Sequence, residues 1–287
     1  MVTETPQSDR PVRRRTSAAN PVPWWRIYLI QLGAAFRAQL QYRGNLLLTI
    51  VSEIAFQGVG VAFVWIIVAR FGAIGGWSIA EIALLYGMRL VASGLWQVPS
   101  SQLFGVSGMV RSGEFDNFLI RPAGPLLQLL SRNVYLAPVG NLITGVVILV
   151  AAASRLPVQL SLAGLVYLLL ALVGGAMVEG SFQLAAAALS FRTLSTQSLR
   201  LLVDSIFDNF GGYPLNIFPR AAQFALTFVV PLAFIAYLPA GVLLDRTGGM
   251  HVTAWLAYGA PVVGPVLLGL AYLLWRTQIR HYASSGT

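Results

Sequence analysis

The sequence predicts an all-α integral membrane protein, and three observations carry that prediction. The 287 residues are 56% hydrophobic and only 10% charged, whereas a soluble domain carries about 25% charged residues. The apolar residues fall in six long continuous runs, each near the roughly 20 residues a helix needs to cross the hydrocarbon. Arginines crowd the segments on one side of those runs, as the positive-inside rule requires. The same composition excludes a disordered chain. Continuous rather than alternating runs favour helices over a barrel.

Residues 1–23 read as a flexible basic cytoplasmic tail. They do not read as a signal peptide, because Arg26, Gln31, Arg37 and Gln41 break up the apolar run after the basic stretch. Residues 24–45 are predicted to form an amphipathic interfacial helix. Helical spacing places Trp25, Tyr28, Leu29, Leu32 and Phe36 on one side and Arg26, Arg37 and Gln41 on the other. That suits a helix lying in the inner leaflet with aromatics at headgroup depth, although a helix folded onto the cytoplasmic loops has the same pattern.

Residues 46–287 then form a six-helix transmembrane domain, with spans at 46–71, 79–98, 134–153, 161–189, 221–244 and 255–275. Six spans put both termini on one side. With the termini cytoplasmic, fifteen arginines lie inside and only Arg70, Arg155 and Arg246 outside, with Arg89 in a span. Between spans two and three, the stretch from Pro99 to Asn133 is long for a connection. Gly113 can end a short helix there, and Arg-Pro-Ala-Gly-Pro at 121–125 forces extended backbone before a new one. Such a piece either transmits force to something docked below it or simply connects. The segment 190–220 reads as a second cytoplasmic loop with a helix over 196–210. Its Arg200, Asp204 and Asp208 at i, i+4 spacing support a helix without needing a function. Ala171, Gly175, Ala176 and Gly180 give the small-residue spacing of a packed membrane helix, and Pro231 and Pro239 interrupt the fifth span.

The residue inventory narrows the chemistry. All 19 cations are arginine, so no Walker lysine or Schiff base is possible, and any ATPase must be another chain. There is no Cys, the two His are not at metal spacing, and no GxSxG elbow occurs. Glu114 and Asp116 diverge on either a strand or a helix, which disfavours an acid–base pair. Ionisable residues inside spans are costly and point to pathways. Glu53 and Gln57 lie one turn apart on the first span, Arg89, Ser93, Trp96 and Gln97 form a stripe on the second, and Glu179 and Gln183 repeat the spacing on the fourth. Either these stripes face a shared cavity, or Arg89 pairs with Glu53 or Glu179 and locks the bundle.

Four motifs in order, SGEFDNFLIRPAGPLLQLL at 112–130, YPLNIFP at 213–219, LTFVVPLAFIAYLPA at 226–240 and RHYASSG at 280–286, resemble a branch of the ABC-2-type exporter permeases. The resemblance covers nearly everything after residue 24. It implies a multi-pass subunit of the bacterial cytoplasmic membrane that exports a hydrophobic or amphipathic substrate such as a drug, natural product or lipid. It also implies a separate dimeric ABC ATPase holding ATP and Mg, and a second permease, identical or homologous. Residues 104–122 would fit a cleft of that ATPase, with Val110, Arg111, Gly113, Glu114, Phe115, Asp116 and Arg121 as the coupling residues. No cofactor of its own and no nucleic acid is expected; membrane lipids are. A proton-coupled secondary transporter, with Glu53 and Glu179 as carriers, is the main competitor, followed by an intramembrane enzyme or scaffold.

Overall fold

The computed structural model describes residues 24–71, 73–120, 124–132, 135–157, 161–193, 196–249 and 252–282, and every regular element among them is helical. The tail expected over 1–23 and the coupling residue Arg121 lie outside these residues. Helix α1 (Trp24–Gln41) gives way to α2 (Arg43–Phe71) across Tyr42 alone, so the first apolar run reaches back three residues beyond 46. Helix α3 (Ile79–Ser100) starts at a capping box. The Ser78 amide donates to Glu81 Oε2 at 2.7 Å, and the Glu81 amide donates to Ser78 Oγ at 3.4 Å.

Pro99 does not end α3, as the connector reading requires. Proline removes one N–H and one hydrogen bond; here the chain tightens into a 3₁₀ turn, Ser101–Gly105, and continues as α4 (Val106–Arg111). Helices α5 (Asp116–Leu119) and α6 (Pro125–Arg132) come next, and α1 packs on α6. Helix α7 (Val139–Ala153) has 15 residues, about 22 Å at 1.5 Å per residue. It is shorter than the expected 134–153 because Pro138, which has no N–H, stands at its N-cap. Helix α8 (Leu162–Leu189) matches its expected span and is capped by Ser161, whose Oγ accepts from the Gly164 amide at 3.1 Å.

The remaining helices are α9 (Gln197–Phe210), α10 (Arg220–Phe224), α11 (Tyr237–Leu243), α12 (Ala254–Ala257) and α13 (Ala260–Gln278). By length and composition α2, α3, α8 and α13 can each cross a membrane, and a fifth crossing is added if the bent pair Arg220–Val229 and Leu232–Leu243 counts as one. That pair replaces the continuous span expected over 221–244. It is bent by 75°, where a π-helical turn, Ala225–Val229, runs into Pro231. Both of its ends return to the same loop. Asn216 Nδ2 donates to the Gly75 carbonyl at 2.6 Å, and Arg246 donates to the Gly76 carbonyl at 3.0 Å. Arg246 also pairs with Glu81 at 3.0 Å and lies over the Trp77 ring. The segment therefore leaves and re-enters the bundle at one end.

The expected loop over 190–220 also takes another course. Helix α9 runs antiparallel to α8, from a hydroxyl contact between Ser190 and Thr196, past an edge contact of Phe182 with Phe207, to Asn216 at the far loop. Its polar stripe faces the bundle, while Leu199, Leu201 and Leu202 are exposed. A helix in water would be turned the other way.

Helix α8 is the axis of the packing, against α13 on one side and α3 on the other. Small residues permit the approach: a Cβ at Gly264 would sit 2.1 Å from the Gly174 carbonyl oxygen, and one at Gly180 would meet Trp96 at 3.3 Å. The expected small-residue stripe on α8 thus serves packing, and the tightest approach on that helix is at Gly174, which the stripe did not include, where a Cβ would sit 2.2 Å from the Ala260 carbonyl oxygen. Gly264→Leu should lower the thermal midpoint and the monodisperse yield of detergent-purified protein, an overpacking cost of about 1–3 kcal/mol or more. Gly269→Leu, at a position with nothing within 4 Å of a new Cβ, should leave both unchanged.

Candidate functional site

Inside the bundle α2, α3, α7, α8 and α9 enclose a polar cavity of about 480 Å³. Its centre is Arg89, whose side chain is 5% exposed. An uncompensated guanidinium at that depth is costly, and three acceptors answer it. Glu179 lies at 2.9 Å and Asp208 at 3.0 Å, and Nε donates to the Phe207 carbonyl at 3.2 Å. One cation thus joins α3, α8 and α9. The paired glycines after α9 make room, because a Cβ on Gly211 would meet Arg89 Cδ at 2.7 Å and one on Gly212 would meet the Tyr86 ring at 2.8 Å.

Hydrogen bonds extend the network along the helices. Gln97 Nε2 donates to Ser93 Oγ at 2.7 Å, and Ser93 donates to Glu179 at 3.3 Å. Gln183 bonds Asp204, which also holds Arg200 at 2.8 Å, while the Arg200 guanidinium lies 4.7 Å from the Phe104 ring centre. On the opposite wall the Tyr86 hydroxyl donates to Gln57 at 3.0 Å, and Gln57 donates to Asn141 at 2.8 Å and Glu53 at 3.4 Å. The cavity is open on the α2–α9 side: the Asp208 side chain is 72% exposed, and Phe56, another lining residue, is 74% exposed.

Of the six pathway residues read from the sequence, Glu53, Gln57, Arg89, Gln97 and Glu179 line this cavity, and Gln183 joins it through Asp204. The ion pair is with Glu179, not Glu53. The sequence reading missed Tyr86, Asn141, Arg200, Asp204 and Asp208. The α9 residues read as part of a cytoplasmic loop, although the i, i+4 recurrence of their charges matched the stripe on α8.

At the end of the bundle, α4 and α5 form a helical hairpin hinged at Gly113, whose φ of +71° favours glycine. Phe115 is fully buried against Phe118, Phe191, Trp275 and Tyr282, and Val110 is buried as well. These two expected coupling residues anchor the hairpin instead of presenting a surface. Glu114 is half-exposed and holds Arg132 at 2.6 Å. Asp116 faces the Tyr282 phenol, and burial together with that carboxylate pushes the phenol's pKa up to about 12. The outward residues are Arg111, Ser112, Asn117, Leu119 and Ile120.

Long apolar helices around a buried, charge-compensated cavity define a polytopic membrane protein with a polar interior. A model described as ABC-2 family transporter protein matches residues 54–286, and the chain belongs to that family of ABC transporter permeases. No curated protein and no solved structure matches the chain.

If Arg89 locks the bundle, Arg89→Leu alone strands a buried Glu179 and should cost about 3–5 kcal/mol, whereas Arg89→Leu with Glu179→Leu should recover most of it. Thermal unfolding of the purified single and double variants tests this. Equal loss in both would show that the pair does not act as a unit.

Proposed function

We propose that the chain is the permease subunit of an ATP-driven exporter that moves a hydrophobic or amphipathic substrate out of the cytoplasm. It works as one half of a two-permease pathway. The observation that carries this reading is the half-open polar cavity. Asp208 is exposed at the depth of Arg89, and a carboxylate there cannot face lipid without heavy cost. A second permease, identical or homologous, would close the α2–α9 side and turn two half-cavities into one path between subunits.

The membrane crossings in this reading are α2, α3, α7, α8, α9 and α13, with 216–246 as a re-entrant piece on the outer side. Moving the fifth crossing from 221–244 to α9 transfers Arg220 outward and takes Arg200 into a span. The arginine balance becomes thirteen inside against four outside, so both termini stay cytoplasmic. The hairpin of α4 and α5 then lies in the cytoplasm of the bacterial inner membrane, where a separate dimeric ABC ATPase holding ATP and Mg can dock. Arg111, Asn117 and Ile120 are its contact residues, and Val110 and Phe115 keep the hairpin rigid. ABC-2 permeases generally work with such an ATPase. The proton-coupled alternative has less support, because Arg89 neutralises Glu179, one of its two carriers.

Affinity purification from the native membrane in mild detergent should recover a Walker-containing subunit with ATPase activity. Arg111→Glu with Ile120→Asp should reduce its recovery by about tenfold, some 1.4 kcal/mol of docking energy. A chain recovered alone, with no hydrolysis, would overturn the exporter reading. Glu53→Gln should slow ATP-driven substrate accumulation inside inverted vesicles while leaving assembly with the ATPase intact; unchanged accumulation would remove Glu53 from the pathway.

A further inference from the structure

Separate from the polar cavity, with no lining residue in common, a second and quite different groove runs along α13. An apolar cavity of about 680 Å³ lies among α3, α6, α8 and α13, and its walls include Trp96, Leu103, Met177, Pro265, Leu268 and Gly269. At its α6 end it meets a further cavity of about 580 Å³, with Leu126, Leu130 and Tyr272 common to both. That second cavity carries Arg276 and Arg280 in its wall. Both arginines are exposed, and neither has an ion-pair partner among the described residues.

Pro265, Gly269, Tyr272 and Arg276 recur at three to four residues, so they form one stripe along α13, and Arg280 follows in the 3₁₀ turn Ile279–His281 that continues it. From Pro265 to Arg276 the stripe rises about 16 Å, close to the roughly 15 Å depth of one leaflet's hydrocarbon. Beyond that depth come the two cations. We infer that this groove binds one anionic phospholipid of the leaflet facing α6, with an acyl chain between α3, α8 and α13 and the phosphate on Arg276 and Arg280.

The charge complementarity and the length match select this occupant. A neutral lipid or detergent would fill the apolar part and leave the arginines unused. A soluble phosphate would use the arginines and leave the apolar part empty. Paired cations beside a crevice between membrane helices are the arrangement that recognises anionic headgroups. The site needs the helices to lie in a bilayer and needs nothing of the transport reading; it holds whether or not an ATPase docks.

The test reconstitutes the purified protein, with any co-purifying subunits, into nanodiscs of equal phosphatidylglycerol and phosphatidylcholine. The lipid that stays bound after detergent extraction is then counted by native mass spectrometry. Phosphatidylglycerol should be retained in preference to phosphatidylcholine. Arg276→Gln and Arg280→Gln should each lower its retention about fivefold, and neither should alter folding, since both side chains are at the surface. Gly269→Leu, where a new side chain meets open space, should abolish retention by occupying the groove, with an unchanged thermal midpoint. Retention of the two lipids in equal amounts would overturn the assignment. So would retention that neither arginine substitution reduces, or phosphatidylglycerol that free glycerol phosphate displaces as readily from Gly269→Leu as from the parent protein.

Discussion

The bundle depends on the neutralisation of one guanidinium. Arg89 sits near the middle of α3, and its charge must be answered by groups that reach it from other helices. Glu179 brings α8, while Asp208 and the Phe207 carbonyl bring the last turn of α9. The position of α9 is a result of this, because a helix that supplies two of the three acceptors has to run beside α3. Gly211 and Gly212 are consequences of the same contact, since any side chain there would push against Arg89 or Tyr86. With one oxygen of the Asp208 carboxylate engaged and most of the side chain still exposed, the cluster is compensated in charge yet accessible from one side.

Arg246 does at the far end what Arg89 does in the middle. It gathers the Gly76 carbonyl, Glu81 and the Trp77 face, and so ties the return of the bent segment to the start of α3. Glu81 also completes the capping box of α3, so a single carboxylate fixes both the beginning of a long helix and the end of a short one. The bend needs this anchoring, because a π-helical turn running into a proline leaves backbone groups without their usual helical partners. Buried neighbours such as Phe234, Ile235 and Leu238 hold that segment in the protein interior.

Much of this was legible in the residues, and the gaps have physical causes. Long apolar runs bounded by polar caps located α2, α3 and α8 to within a few residues, because hydrocarbon length and capping chemistry leave little freedom there. Glu53, Gln57, Arg89, Gln97 and Glu179 stood out as polar groups in apolar runs, which left a shared cavity and an ion-pair lock both open; the residues line one cavity, and within it Arg89 pairs with Glu179. Arg200, Asp204 and Asp208 were not. An amphipathic helix has the same periodicity whether its polar face meets water or a polar interior, and only the contacts with Arg89 and Gln183 decide. Likewise, hydropathy does not register a bend, so 221–244 read as one continuous span although Pro231 marks where it turns by 75°. Val110 and Phe115 stand within the 104–122 region, where neighbours such as Arg111, Ser112 and Asn117 face outward. Burial, which alternates residue by residue, separates the anchor from the surface.

The distribution of arginine partners divides the protein by role. Arg89, Arg200 and Arg246 are each matched to a carboxylate within the chain, and each ties together elements that lie far apart in sequence or turns a polar face inward. Arg111, Arg276 and Arg280 are exposed, with no carboxylate partner among the described residues. Arg111 ends α4, while Arg276 lies in the last turn of α13 and Arg280 in the 3₁₀ turn just past it; Phe115, between α4 and α5, packs with Phe191 against Trp275 of α13. A charge left unmatched beside a rigid aromatic core costs little in solvent and holds its position, which suits recognition of an anion from outside the chain. In the proposed permease, the matched arginines therefore hold the bundle together. Of the exposed arginines without a carboxylate partner, Arg111, Arg276 and Arg280 stand at the end that meets lipid phosphate and the ATPase in this reading, while Arg70, Arg155 and Arg220 stand at the other.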